Sequence, residues 1–142
     1  MPLEFVEGQG YIHYRKGSLV MYALQDYISE DSVNVALRRV IDKHAWREDR
    51  YTTSEDFIQE FRKVTPDSLQ YVIDDMFQKI ILYENRAMDV EATESDGQYE
   101  VNVGIKSIKY EADSLGNELT LPLNDWIDIG VIGETAEGQD TL

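Results

Sequence analysis

The chain contains no cysteine, only three prolines and only two histidines. Without thiols it forms neither a disulfide nor a Cys-ligated zinc site, and its redox compartment stays open. His13 and His44 fall on separate predicted elements, so a zinc site built on histidine lacks its third ligand. Cations are scarce in one half. Residues 89–142 carry 2 Lys+Arg against 13 Asp+Glu, a net of -11, whereas residues 1–88 carry 11 against 15, a net of -4. A surface this negative repels phosphate backbones and anionic lipid, which argues for no nucleic acid and no membrane contact by this segment. No apolar run approaches the length of about 18 residues that a membrane span needs, and Met1 to Gly8 show neither a basic nor an apolar leader region.

What is present points to a folded chain. At 142 residues and 42% hydrophobic, one domain with a buried core is the starting expectation despite a net charge of -15. The periodicity predicts an α+β fold, with a small bundle of about four helices over residues 1–86 and an acidic antiparallel β unit of about four strands over residues 87–142.

Glu4 to Gly10 reads as an irregular lead-in. The first helix opens at Tyr14-Arg15-Lys16-Gly17 and turns Leu19, Val20, Ala23, Leu24, Tyr27 and Ile28 inward, a stripe with a period near 3.6. Asp31 or Ser32 can cap a second helix, with Val33, Leu37, Val40, Ile41 and His44 as its inner stripe. The short connection predicts antiparallel packing of the two. Thr53-Ser54-Glu55-Asp56 resembles a capping box for a third helix that buries Phe57, Ile58, Phe61 and Val64. Thr65 as N-cap and Pro66 in the first turn start a fourth, whose inner face is Leu69, Val72, Ile73, Met76, Phe77 and Ile80.

After Tyr83-Glu84-Asn85-Arg86 the period falls to two. Met88, Val90 and Ala92 alternate, Ser95-Asp96-Gly97 turns the chain, and Tyr99, Val101, Val103 and Ile105 alternate again, which is a hairpin. The pattern then slips to Ile108, Tyr110 and Ala112, which predicts a bulge near Ser107. Asp113 to Asn117 is a turn, Leu119, Leu121 and Leu123 follow as a third strand, and Pro122 suggests an edge or a strand end. Trp126 to Ile132 reads as a fourth strand on an incomplete sheet. Its open edge would invite pairing with another chain and a possible edge-strand dimer.

Few groups in this pattern carry chemistry. Asp74-Asp75 point in directions about 100° apart on a helix and read as a solvated face. The Asp-rich turns lack the alternating spacing of a calcium loop. The best candidate is Tyr14, since a hydroxyl held at the start of a helix can be aimed at a developing oxyanion. The same residues also suit a plain helix start whose tyrosine fills the core.

Tyr14-Arg15-Lys16-Gly17 opening a helix, then Leu24-Gln25-Asp26-Tyr27-Ile28-Ser29-Glu30 and Tyr51-Thr52-Thr53-Ser54-Glu55-Asp56-Phe57, resembles the gluzincin zinc aminopeptidases of the alanyl aminopeptidase and leukotriene hydrolase type. Ile81-Leu82-Tyr83-Glu84-Asn85-Arg86 and Asn124-Asp125-Trp126-Ile127-Asp128-Ile129-Gly130 are similar to a bacterial branch fused to an ABC-type permease. The resemblance implies a catalytic role for Tyr14, as the hydroxyl that stabilises the transition-state oxyanion of peptide-bond hydrolysis. It implies zinc in the parent protein, held by an H-E-x-x-H motif and a downstream glutamate. This sequence has neither, so no cofactor is expected in this chain. The implied partners are an upstream zinc-binding part of the parent and a peptide substrate, and the parent would be anchored to a bacterial membrane. The isolated segment would be inactive. A non-catalytic binding or structural module is the alternative from a different class.

Overall fold

The computed structural model describes residues 2–5, 8–135 and 138–141, with side chains as far as Ile132, so the polar stretch from Gly133 to Leu142 lies partly outside the described residues. The fold is α+β. A π-helical turn, Tyr11–Lys16, runs directly into α1, Gly17–Ile28. Helices α2, Glu30–His44, and α3, Ser54–Arg62, follow. The short helix α4, Gln70–Ile73, is preceded by a 3-10 turn, Asp67–Leu69, and prolonged by a π-helical turn, Asp74–Gln78. Strands β1, Ile81–Ser95, β2, Gln98–Ala112, and β3, Glu118–Leu121, make an antiparallel sheet in that order. Strands β4, Ile132–Thr135, and β5, Gly138–Thr141, pair with each other in a separate two-stranded sheet.

Helical periodicity builds the core. Val20, Leu24 and Ile28 of α1 meet Val33 and Ala36 of α2, Ile58 and Phe61 of α3, and Val72, Ile73 and Phe77 of the last helical segment. Every buried apolar member of this cluster is helical. Leu19 departs from the expected stripe and is 69% exposed, because the face follows Val20, Leu24 and Ile28 at strict i, i+4 spacing. Ile41 is exposed for a different reason: on α2 the buried pair is Val33 and Ala36, three apart, and this turns the face away from Ile41.

Caps explain most helix limits. Ser29, at φ 75°, ends α1, and its Oγ accepts from the Ser32 N–H at 3.3 Å, so α2 is capped ahead of Asp31 and Ser32. Thr53 and Asp56 form the reciprocal capping box, and Arg50 grips the same carboxylate with two 2.6 Å bonds. Thr65 is not an N-cap. Its hydroxyl donates back to the Phe61 carbonyl at 2.8 Å, and the Gln70 amide donates to the Thr65 carbonyl. Glu60, buried between α2 and α3, accepts from Lys43 at 2.5 Å and Lys63 at 2.6 Å, while its Oε2 has no protein partner among the described residues.

The strands begin at Ile81, ahead of the change of period read at Arg86. Asp96 and Gly97 both adopt positive φ, the two-residue turn that matches strand twist. The irregularity lies on β1 and not at Ser107. Ala87 faces Ile105 and Val90 faces Val103, so Met88 and Asp89 together oppose Gly104, whereas Ser107 pairs with Asn85 in an unbroken ladder. The apolar pattern of β2 slips without a bulge because its inward row, Val101, Val103 and Ile105, continues to Lys109. Residues 122–131 also depart from expectation and carry no ladder. Pro122 has no N–H to extend β3, and the chain leaves the ladder as a strap that places Asp125 against Lys109 and Ile127 to Ile132 beside the face of Val101, Val103 and Ile105.

Two substitutions on α1 separate the observed face from the predicted one. Leu24→Ala, at a fully buried position, is expected to cost about 3 kcal/mol, whereas Leu19→Ala should stay within about 0.5 kcal/mol. Urea unfolding of both variants checks this, and equal losses would mean that α1 packs on the wider stripe.

Candidate functional site

The sheet contributes one buried side chain among its described residues, and it is a lysine. Lys109 stands on β2 between Tyr83 of β1 and Leu121 of β3, with 7% of its side chain exposed. Its ammonium donates to Asp75, on the last helical turn, at 2.5 Å and to Asp125, on the strap, at 2.8 Å. Both carboxylates are themselves almost buried. The ammonium also lies 5.4 Å from the Tyr71 ring centre and 5.7 Å from that of Tyr83, where the aromatic faces add cation–π attraction. The Tyr83 hydroxyl donates to Asp125 at 2.5 Å. Two further bonds hold the strap: the Trp126 N–H donates to the Tyr71 hydroxyl at 3.2 Å, and the Tyr27 hydroxyl donates to the Trp126 carbonyl at 3.4 Å.

Burial alone would lower the Lys109 pKa, but the hydrogen bonds to Asp125 and Asp75, with their charges, outweigh it and raise the value well above 10.5. Burial and the hydrogen bond to Asp125 push the Tyr83 phenol up in the same direction. Neither group exchanges its proton near neutral pH, so the cluster is a strut and not an acid–base pair. Beside it, Tyr27, Tyr71, Tyr83, Trp126, Asp128 and Lys16 line much of a cleft of about 330 Å³. Burial depresses the Lys16 pKa there.

Sequence reasoning reads Asp75 as solvated and passes over Lys109 and Asp125. Asp74 and Asp75 do diverge, yet neither is free: Asp74 pairs with Arg62 and Asp75 with Lys109. One signal was legible, since Lys109 continues the alternating row Tyr99, Val101, Val103, Ile105 at an inward position that an apolar residue would ordinarily take.

Tyr14 sits elsewhere. It lies in the middle of the π-helical turn inside a helical run that begins at Tyr11, not at Tyr14 as the sequence implied. Its ring is 74% exposed and tilted against His13 at 4.5 Å, while Ile12 takes the buried position of that turn. Its hydroxyl makes no hydrogen bond among the described residues, so it does not fill the core. His13 is exposed and His44 is half-buried at the end of α2. No group of three or more His, Asp or Glu side chains that could hold a metal occurs among the described residues. No helix among them is long and apolar enough to cross a membrane. Comparisons with protein-family models, with curated proteins and with solved structures return no match.

The strut yields a prediction with a sign. Lys109→Met leaves two nearly buried carboxylates without their cation and should cost about 3–5 kcal/mol, whereas replacing Lys109, Asp75 and Asp125 together by apolar residues should be near neutral. The folded pKa of Lys109 lies above its unfolded value, so its stabilisation is complete below about pH 10 and is lost as pH rises through the folded value. Urea midpoints between pH 7 and pH 11 should therefore fall above pH 10 in the native chain and fall less in the triple variant. A flat profile would show that Lys109 is not held as described.

Proposed function

We propose that this chain is a segment of a zinc metallo-aminopeptidase-like protein and that it supplies Tyr14 to an active site whose metal is held by residues outside it. The observation that carries this reading is the placement of Tyr14. A phenol on a helical turn, three-quarters exposed and with no hydrogen-bond partner among the described residues, can donate a hydrogen bond to something beyond its own chain. π-Helical turns in α-helices occur often at functional sites, which supports the same reading. The side chains described here do not fit a zinc site, so no step of the chemistry is assigned to a metal on this segment. The role of Tyr14 is to donate its hydroxyl proton in a hydrogen bond to the oxygen that gains charge as the scissile peptide carbonyl becomes tetrahedral. Such a bond strengthens as the charge develops and therefore acts on turnover more than on binding.

A second reading, a non-catalytic interaction module, is favoured by the exposed acidic β ribbon described below. The two are separated by paired measurements. The isolated chain is expected to bind no stoichiometric zinc and to release no product from aminoacyl arylamides. Equimolar zinc by elemental analysis after dialysis would contradict this. In the longer protein, Tyr14→Phe is expected to lower turnover about a hundredfold to a thousandfold, with zinc content and melting temperature unchanged because the hydroxyl makes no hydrogen bond among the described residues. Unchanged turnover would remove Tyr14 from the mechanism.

A further inference from the structure

Strands β1 and β2 form a ribbon that outruns the rest of the sheet. Strand β3 pairs with β2 only from Lys109 to Ala112, and Pro122 ends it there. From Gln98 to Ile108 the outer edge of β2 has no ladder partner among the described residues. At about 3.4 Å per residue those eleven residues span roughly 35 Å of unpaired N–H and C=O groups. A two-stranded ribbon gains little stability alone; every residue from Asn85 to Glu100 is exposed, while on β2 Val101 and Val103 are half-buried, and with Ile105 they line a groove against Ile127 to Ile132 of the strap.

Edges of this kind are usually blunted by lysines, proline or a bulge. Strand β1 has such a device, the Met88–Asp89 bulge. The outer edge of β2 has neither proline nor bulge, and its one lysine, Lys106, lies at the base. Its side chains alternate cleanly. Tyr99, Val101, Val103 and Ile105 share one face with Val90 and Ala92 of β1, while Gln98, Glu100 and Asn102 share the other. Charge specifies the partner further, because residues 89–100 hold five carboxylates and no cation.

We propose that the outer edge of β2, Gln98 to Ile108, receives an extended partner segment that alternates apolar with basic side chains and adds to the sheet as a strand in line with β3. Backbone hydrogen bonds would give the affinity, the groove between the Val101–Val103–Ile105 row and the strap would take the apolar side chains, and the acidic tip would select for lysine or arginine. A second copy of this chain is disfavoured, since two tips of like charge and two chains of net -15 would be brought together. The inference stands independently of any role for Tyr14.

The test uses the intact chain and a blocked decapeptide of alternating lysine and valine, followed by calorimetry and by amide exchange. Binding with at least tenfold slower exchange confined to residues 98–108 is expected. It should be lost when alternate peptide nitrogens are methylated, and weakened at least tenfold when glutamate replaces lysine. Glu100→Lys combined with Glu94→Lys should weaken the lysine peptide and leave the helical amides unchanged. No binding, equal binding of the methylated peptide, or protection of β1 in place of β2 would each overturn the proposal. So would a concentration-dependent dimer in sedimentation with residues 98–108 already protected, since the occupant would then be a second copy.

Discussion

One buried ammonium lies where the two halves of this molecule meet and pairs with both. The helices share an apolar core to which no strand among the described residues contributes a buried side chain, so the buried contact between sheet and helices in this chain is a polar one. Lys109 supplies the link, because its three donors reach Asp75 on the helical side and Asp125 on the strap while its stem lies among Tyr71 and Tyr83. Desolvating three charges is costly, and the arrangement is tolerable only because each is paired and hydrogen-bonded. What such a strut contributes is register. A one-residue slip of β2 would turn Lys109 to the other face and leave both aspartates buried without a cation.

The strap follows from that constraint. Pro122 releases the chain from β3, and Asp125 is then drawn to Lys109 within four residues of the last strand pair. Trp126 is tied by its backbone to Tyr71 and Tyr27, which fixes the wall of the aromatic cleft. The outer ribbon, beyond reach of the strut, has a different character. It is exposed, acidic and open along one edge, and nothing in the helical half restrains it.

Tyr14 belongs to neither group. It lies on the π-helical turn that leads into α1, exposed and with no hydrogen bond to its hydroxyl among the described residues, while Ile12 takes the buried position of the turn. Rigid support with an exposed polar tip is what the oxyanion role proposed for it would require.

Local rules were readable in the residues alone. The i, i+4 spacing of Val20, Leu24 and Ile28, the Thr53–Asp56 capping box and the Asp96-Gly97 turn depend on neighbours within a few positions, and each is found as expected. The sequence also determined the acidic character of the second half and the lack of a third zinc ligand from histidine. It did not reveal that Asp75 and Asp125 would converge on Lys109, that Tyr14 would face outward, or that Trp126 to Val131 would lie beside the sheet instead of joining it. Those outcomes depend on distant partners. Asp75 and Lys109 are thirty-four residues apart, and only the packing of sheet on helix brings a carboxylate within reach of an ammonium that would otherwise stay in water. Periodicity fixes which face of an element is apolar, whereas desolvation and pairing across elements decide which polar groups are buried, and that balance exists only once the chain has closed on itself.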